Sequence, residues 1–281
     1  MKTRRDFLKL SGLGIAGTFT LKSNTFLRKT SPGYFKSDIP FELGIASYTF
    51  RKYNLDDTLR MTRRVGIKNI AFKSFHLELD ASDEEIKQTV QKVKEAGLNL
   101  YGGGVIYMRE PEEVDNAFEY AKKAGMKTII GVPDPDRLDV IDSKVKEYDI
   151  QVAIHNHGPG DETYPTPESI YTRIKDLDPR IGICIDVGHT QRIGADPVAD
   201  TERFFDRILD VHIKDVSEAS PEGKECEVGR GVIDIPGILK VLVKKGFTGM
   251  ASFEYEKDPE DLLPGLAESV GYVRGILDMI K

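Results

Sequence analysis

The chain has 281 residues, enough for one large domain such as an α/β barrel of about 250 residues, or for two small domains. Its formal net charge is -6 at pH 7, with no basic excess to hold a phosphate backbone, so nucleic acid is excluded as an expected partner. The only two cysteines, Cys184 and Cys226, give no disulfide framework.

The first thirty residues resemble a twin-arginine export leader. Arg4 and Arg5 precede Phe7 and Leu8, and a modest apolar run follows over residues 11–21. This run is too short and too rich in glycine for a stable membrane span, which needs about 20 apolar residues. We therefore predict export to the periplasm, with the leader either removed or kept as a membrane anchor. A basic tail on a cytosolic protein is the alternative.

Short apolar runs alternate with amphipathic helices from residue 42 onward. Residues 31–41 lack periodicity and are predicted to link the leader (1–30) to a single catalytic domain (42–281). Eight apolar runs are predicted as strands: 43–49, 68–74, 98–104, 127–131, 150–156, 181–187, 209–215 and 249–255. Strands that alternate with helices pair in parallel through right-handed crossovers, and eight such units close into a (β/α)8 TIM barrel. An open doubly wound sheet is the alternative, but no G-x-G-x-x-G follows the first strand.

Four joints between a helix and the next strand repeat nearly the same pattern. Each ends a helix with cationic side chains, stops it with a glycine and enters an apolar strand; the joints are 63–72, 94–103, 122–131 and 244–253. The glycines are expected in the left-handed conformation that follows a helix. Ser82 and Glu85 predict a capping box at the start of one of these helices.

All five histidines are predicted to lie at the carboxyl ends of strands and none in a helix. His76 follows the second strand, His155 and His157 end the fifth, His189 follows the sixth, and His212 lies late in the seventh. In a TIM barrel these strand ends form the mouth of the active site.

Two carboxylates point to the same mouth. Asp186 ends the sixth strand and Glu254 the eighth, on the inner face by period-two alternation. Imidazole together with carboxylate suits Zn²⁺, Mn²⁺, Co²⁺ or Fe²⁺ better than Ca²⁺ or Mg²⁺, which prefer shells of oxygen. We therefore predict one divalent metal ion. A single histidine at a strand end is more often a hydrogen-bonded structural residue, so this prediction depends on the whole set.

Strands five to eight read "AIHNHG", "CIDVGH", "VHIKD" and "FEYE", and they resemble the xylose isomerase-like barrel superfamily of sugar isomerases and epimerases, which also includes inosose dehydratase. The resemblance covers about residues 42–281. It implies one divalent metal held by these four strands, with Asp186, His212 and Glu254 matching three ligands in type and place. His155 stands where the family has a glutamate.

That departure puts a symmetric mechanism with two glutamate bases in doubt. His155 can bind a metal as a neutral imidazole but cannot act as a carboxylate base. Glu254 remains the candidate base, with the metal polarising a carbonyl or hydroxyl group of the sugar and stabilising an enediolate. One base is sufficient for an aldose–ketose isomerisation and also for a β-elimination.

The resemblance thus implies a metal-dependent isomerase or epimerase that acts on an unphosphorylated sugar or sugar derivative. Export favours the unphosphorylated form, because sugar phosphates belong mainly to the cytoplasm. A lyase that dehydrates a keto-sugar or keto-inositol is the second choice, and a carbohydrate-binding barrel without catalysis is the third. A homo-oligomer is compatible with the sequence, and contact with a membrane is expected only through a retained leader.

Other polar residues near the strand ends are candidates for catalysis. In the family, the residue at the position of His189 hydrogen-bonds the sugar. The alternative is that His189 orients a metal ligand. Lys73 ends an apolar strand, where burying an ammonium group is unfavourable unless the group is paired or has a functional role. It is therefore predicted to contact substrate oxygens or serve as an acid. Its alternative is to extend into solvent.

Five further residues are predicted to contact the substrate: Tyr48, His76, His157, Asp215 and Arg230. All of them except Asp215 also have a purely structural alternative. Tyr48 could form an aromatic wall, His157 could pack against its neighbours, and Arg230 could be an ordinary surface arginine.

Overall fold

The computed structural model describes residues 39–280, so the predicted leader and most of the linker lie outside the described residues. Ten strands are found in this part of the chain: β1 (Glu42–Ala46), β2 (Asn69–Phe72), β3 (Asn99–Met108), β4 (Thr128–Pro133), β5 (Gln151–His155), β6 (Ile181–Asp186), β7 (Ile208–Ile213), β8 (Asp215–Val216), β9 (Glu225–Cys226) and β10 (Met250–Phe253). Strands β1 to β7 follow one another around a closed parallel barrel that β10 completes. Strands β8 and β9 form a separate antiparallel pair. The predicted TIM barrel is confirmed.

Nine α-helices connect and cover these strands within residues 39–280: α1 (Leu55–Arg64), α2 (Asp83–Glu95), α3 (Pro111–Ala124), α4 (Leu138–Tyr148), α5 (Pro167–Ile174), α6 (Val187–Arg192), α7 (Pro197–Arg203), α8 (Ile235–Lys245) and α9 (Leu263–Ile280). The glycines of the four repeated joints, Gly66, Gly97, Gly125 and Gly246, all have φ between 70° and 79°. An L side chain is strained in this conformation, which explains the repeated glycine. Among the helices described, none combines the length and the apolar character that a bilayer crossing requires.

Two local features differ from the sequence prediction. Strand β3 continues to Met108, past the predicted end at residue 104, and its pairing with β4 is irregular between Gly103 and Ile106. His189 lies in the short helix α6 rather than outside any helix, because the Asp186 side chain caps that helix directly after β6.

The interior of the barrel is filled below the mouth. The packed residues there are Ala71, Tyr101, Ile130, Ala153 and Cys184. The Tyr101 hydroxyl donates to Asp210 Oδ2 at 3.0 Å and lies 2.6 Å from Ser252 Oγ. A larger apolar core lies between the strands and the surrounding helices. The mouth therefore has a closed floor.

Candidate metal centre and cavity

Four buried side chains from neighbouring strands converge at the carboxyl end of the barrel. They are His155 of β5, Asp186 of β6, His212 of β7 and Glu254, which directly follows β10, and one ligand atom of each lies within 4.8 Å of all the others. His155 Nε2 is 3.4 Å from Asp186 Oδ2, and His212 Nδ1 is 3.1 Å from Glu254 Oε2. The structure thus brings together the four residues that were predicted as metal ligands.

Local backbone contacts orient two of these ligands. Asp186 Oδ1 accepts the His189 N–H at 2.8 Å as the cap of α6, which leaves Oδ2 to face the cluster. Asn156 lies between His155 and His157 in sequence, and its Oδ1 accepts the Asp186 N–H at 2.9 Å. Because successive residues of an extended segment point to opposite sides, this contact leaves the two histidines to face the mouth.

Lys214 supplies a buried positive charge beside the carboxylates. Its Nζ is 2.9 Å from Glu254 Oε2, 3.3 Å from Asp186 Oδ2 and 2.5 Å from Glu256 Oε1. Burial alone would raise the pKa of Asp186 and of Glu254, but Lys214 and the neighbouring histidines outweigh it, so both pKa values lie well below their usual range. Burial alone would lower the pKa of Lys214, and the carboxylates raise it well above its usual value.

The two imidazoles of the cluster differ in charge. Burial lowers the pKa of His155 to about 3, so this ring is neutral at physiological pH and one of its two nitrogens carries no proton and can bind a metal. For His212, burial lowers the pKa, but the Cys184 thiol and the Glu254 carboxylate outweigh it, and the pKa lies well above its usual value. A metal bound to the His212 ring would have to displace a proton from it, since only a neutral imidazole has a nitrogen that can bind a metal.

The geometry and chemistry of the cluster fit a divalent transition metal. Both ring nitrogens of His155 are buried without a hydrogen-bond partner, which is rare and costly unless a ligand satisfies them. A tetrahedral shell with metal–ligand distances of about 2.1 Å places donors about 3.4 Å apart. The measured separations between imidazole nitrogens and carboxylate oxygens run from 3.1 to 4.0 Å. Two nitrogens with two oxygens favour zinc, manganese, cobalt or iron.

A cavity of about 270 Å³ opens above the cluster. Its lining residues are Tyr48, Lys73, Val105, Tyr107, His155, His157, His189, Lys214, Glu254 and Glu256. The His157 ring stacks on Tyr107, with centroids 6.2 Å apart, and His157 Nδ1 is 3.2 Å from Asp161 Oδ2. Lys73 Nζ donates to the Val105 carbonyl oxygen and lies 5.7 Å from the centre of the Tyr107 ring. Tyr48, Lys73, His157 and His189 are therefore placed where a substrate could reach them.

His76 does not lie in this cavity. It is buried beneath α1, with Nδ1 2.9 Å from Ser47 Oγ and Nε2 3.1 Å from the Tyr53 carbonyl oxygen. Burial lowers the pKa of His76 to about 4. The structure therefore gives this ring a neutral, structural position instead of a place beside the substrate.

Asp215 and Arg230 also lie away from the cavity in which they were predicted to contact the substrate. The buried Asp215 carboxylate accepts the backbone N–H groups of Gly229 and Gly231 at 2.9 and 3.0 Å, so it holds the loop after β7. Arg230 is exposed and makes a two-pronged ion pair with Glu268, with N–O distances of 2.5 and 2.8 Å. Neither residue lines the cavity above the cluster.

Sequence reasoning missed Lys214 and Tyr107. Lys214 is two residues after His212, so period-two alternation along β7 and its extension would have placed both on the same face. Tyr107 was missed because the predicted third strand ended too early.

Comparisons with known proteins agree with this architecture. A family model described as "Xylose isomerase-like TIM barrel" matches residues 59–276. The rhizopine catabolism protein MocC of Rhizobium meliloti is 29% identical over 151 residues, which are 48% of this chain and 46% of that protein. The inosose dehydratase of Lacticaseibacillus casei is 28% identical over 143 residues, which are 45% of this chain and 47% of that protein. The chain thus spans about half the length of the curated relatives it matches.

A solved structure extends the likeness over the barrel. It is an uncharacterized protein from Parabacteroides distasonis, 27% identical, with a TM-score of 0.68 over 84% of this chain and 99% of that chain. The match of the family model confirms the resemblance inferred from strands five to eight. On the extent of that match, the chain belongs to the xylose isomerase-like TIM barrel family.

Proposed function

We propose that the chain is a metal-dependent enzyme that removes a proton next to the carbonyl group of a polyhydroxylated small molecule, a sugar or a sugar derivative. One observation carries this proposal: Glu254 belongs both to the converged donor set and to the lining of the cavity above it. A carboxylate in that position can accept a proton from a substrate that is bound against the cluster.

His155, Asp186, His212 and Glu254 are the residues that would hold the metal. When bound, a divalent ion supplies a Lewis acid that polarises the carbonyl oxygen and stabilises negative charge on it. The chain's own groups do the rest. Glu254 accepts the proton, and the ammonium group of Lys73 donates a hydrogen bond or a proton to a substrate oxygen.

Dehydration is the reaction that this arrangement favours. Among the described residues that line the cavity, carboxylates come only from Glu254 and Glu256, which belong to one segment. The position where a second base would be needed for epimerisation by two carboxylates is occupied by His155. A β-elimination needs one base and a donor to the leaving hydroxyl group, which Lys73 or His157 can provide. The similarity to an inosose dehydratase supports this choice.

Aldose–ketose isomerisation is the second candidate, because it too needs a single base beside the metal. The two reactions are distinguished by incubating the enzyme with a panel of keto-inositols, ketoses and aldoses in deuterated water. Dehydration gives an unsaturated product that absorbs in the ultraviolet and is lighter by one water. Isomerisation gives a product with the mass of the substrate plus deuterium. Glu254→Gln should abolish either reaction, whereas retained sugar binding without any turnover in the wild type would indicate a non-catalytic barrel.

Metal content tests the proposal before any substrate is known. We expect the purified full chain to carry about one equivalent of transition metal by elemental analysis, and His155→Ala and Asp186→Asn to lose most of it. His157→Ala is the matched control, because its ring contacts His155 at a centroid distance of 4.6 Å but is not one of the four donors. Equal metal content in wild type, His155→Ala and Asp186→Asn would contradict the proposed centre.

A further inference from the structure

A second cavity, of about 350 Å³, adjoins the cavity above the cluster. The two cavities share His189, Lys214 and Glu256 as lining residues. The second one extends between α6, the β8–β9 pair and the segments that follow β1 and β10, and it adds Arg51 and Arg192 to the lining. One small molecule could therefore contact the metal cluster and these arginines together.

The two arginines lack a carboxylate partner. Arg51 Nη2 donates to the main-chain oxygen of Glu256 at 2.7 Å, and Arg192 Nη2 donates to the Pro221 oxygen at 2.6 Å. Arg192 Nε is buried without a hydrogen-bond partner. Across residues 39–280, no carboxylate oxygen lies within 4.0 Å of either guanidinium group. By contrast, the exposed Arg230 is paired with Glu268.

The carboxyl groups of the second cavity do not neutralise these arginines. Glu256 is paired with Lys214 at 2.5 Å, and Glu225 accepts the Glu256 N–H at 2.6 Å. Burial raises the pKa of Glu225 to about 8, which disfavours its charged form. The remaining cation of the lining, Lys257, is paired with Glu227 at 2.7 Å. The charge of the guanidinium groups is therefore left without a counter-ion.

We propose that this arginine pocket, defined by Arg51, Arg192 and His189, binds an oxyanion group of the substrate, so that the enzyme acts on an anionic sugar derivative. The inference rests on the proposed function, because the pocket is joined to the metal cluster through Lys214. The planar fork of a guanidinium group matches the two oxygens of a carboxylate and also a phosphate. The two half-buried guanidinium groups have no carboxylate partner in the described part of the chain, so a bound anion would supply the missing counter-ion.

Binding of matched pairs of sugars tests the pocket. Calorimetry would compare D-glucuronate with D-glucose and D-galacturonate with D-galactose, with D-glucose 6-phosphate as the phosphate probe, on the full chain loaded with manganese. We expect at least one anionic sugar to bind about tenfold or more tightly than its neutral counterpart. Preference for the uronates identifies the group as a carboxylate, and preference for the sugar phosphate identifies it as a phosphate. Equal affinities within every set would overturn the inference.

Arginine variants locate the effect. Arg51→Gln and Arg192→Gln should remove the preference for the anion, whereas Arg230→Gln, an exposed arginine outside both cavities, should keep it. Arg192→Lys keeps the charge and most of the side chain, and it should recover part of the affinity if the fold is intact. Unchanged anion binding in both glutamine variants would overturn the assignment.

Metal content separates this inference from the proposed function. If the chain carries one equivalent of metal and turns over neutral sugars as well as anionic ones, the pocket inference fails and the metal-dependent enzyme stands. If the chain binds anionic sugars through Arg51 and Arg192 but carries no metal, the proposed function fails and the pocket stands.

Discussion

The ammonium group of Lys214 and a divalent cation would compete for the same two carboxylate oxygens. Lys214 Nζ lies against Asp186 Oδ2 and Glu254 Oε2, the atoms that face the histidines of the cluster. In the metal-free protein this ammonium balances carboxylates that are buried and would otherwise repel one another. Lys214 is therefore expected to shift toward Glu256 when a metal binds.

Lys214→Met tests this competition at the level of one residue. In chelator-treated protein we expect a loss of about 3 kcal/mol in the free energy of unfolding, because buried carboxylates lose their cation. Saturating zinc should restore most of that loss, and metal affinity should rise. Urea unfolding with and without zinc measures both effects.

Lys257→Met is the control for this variant. Its pair with Glu227 is 2.7 Å long but the lysine side chain is 37% exposed, so we expect a loss below about 1 kcal/mol, independent of metal. An equal loss in Lys214→Met with and without zinc would contradict the competition.

His76 makes the stability of the fold depend on pH. Its pKa is about 4 in the folded chain, below the ordinary value of 6.5, because the ring is buried. Between these values the unfolded state binds more protons, so this contribution is complete above pH 6.5 and is lost as the pH falls toward 4. We expect His76→Gln to remove up to about 3 kcal/mol of the change in unfolding free energy between pH 7.5 and pH 4. Parallel pH profiles for wild type and variant, from urea unfolding, would show that His76 contributes nothing.

At the scale of elements, the loop that follows β7 depends on the carboxylate of Asp215. This group accepts backbone N–H groups from Gly229, Gly231 and Ile233, 14 to 18 residues later in the chain. The loop between β8 and α8 also contributes Glu225 to the second cavity. The order of the loop and the shape of that cavity are thus linked through one side chain.

Asp215→Ala should release this loop. We expect at least about 2 kcal/mol of lost stability and faster proteolytic cleavage within residues 217–232, because several charge-assisted hydrogen bonds disappear. Asp234→Ala is the matched control: Asp234 caps α8 by accepting the Gly237 N–H at 2.8 Å, so its loss should cost about 1 kcal/mol and leave the cleavage rate unchanged. Equal cleavage rates in the two variants would argue against the anchoring role.

Elements whose signals are local were predictable from sequence, and those that depend on distant partners were not. The capping box is confirmed: Ser82 Oγ accepts the Glu85 N–H at 3.3 Å, and Glu85 Oε2 accepts the Ser82 N–H at 2.9 Å. The end of β3 was predicted wrongly, because its last residues are held by pairing with β4, as in Ile106 with Gly131.

The same distinction applies to the site. His155, Asp186, His212 and Glu254 could be proposed together because each ends a strand and the strand ends of a barrel meet. The contacts of Asp215, and the absence of a carboxylate near Arg192 among the described residues, depend on distances between segments that are remote in sequence. No pattern along the chain encodes them.

At the scale of the whole molecule, we propose that the chain is exported by the twin-arginine route. Replacing Arg4 and Arg5 by lysine keeps the charge but removes the guanidinium pair, so we expect the barrel to remain in the cytoplasm. Cell fractionation with an antibody against the barrel measures this, and Arg28→Lys is the control that should leave export unchanged. Periplasmic recovery of the double variant at the wild-type level would contradict the proposal.

Tyr101, Asp210 and Ser252 close the barrel beneath the candidate metal centre, and this has a kinetic consequence. Because the described residues fill the barrel below the cluster, a molecule reaches the cluster from the mouth, and whatever is formed there departs through the same opening. A fresh reactant cannot pass a product that is still in place. Inhibition by product should therefore be competitive with respect to the reactant, and the turnover rate cannot exceed the rate of product release.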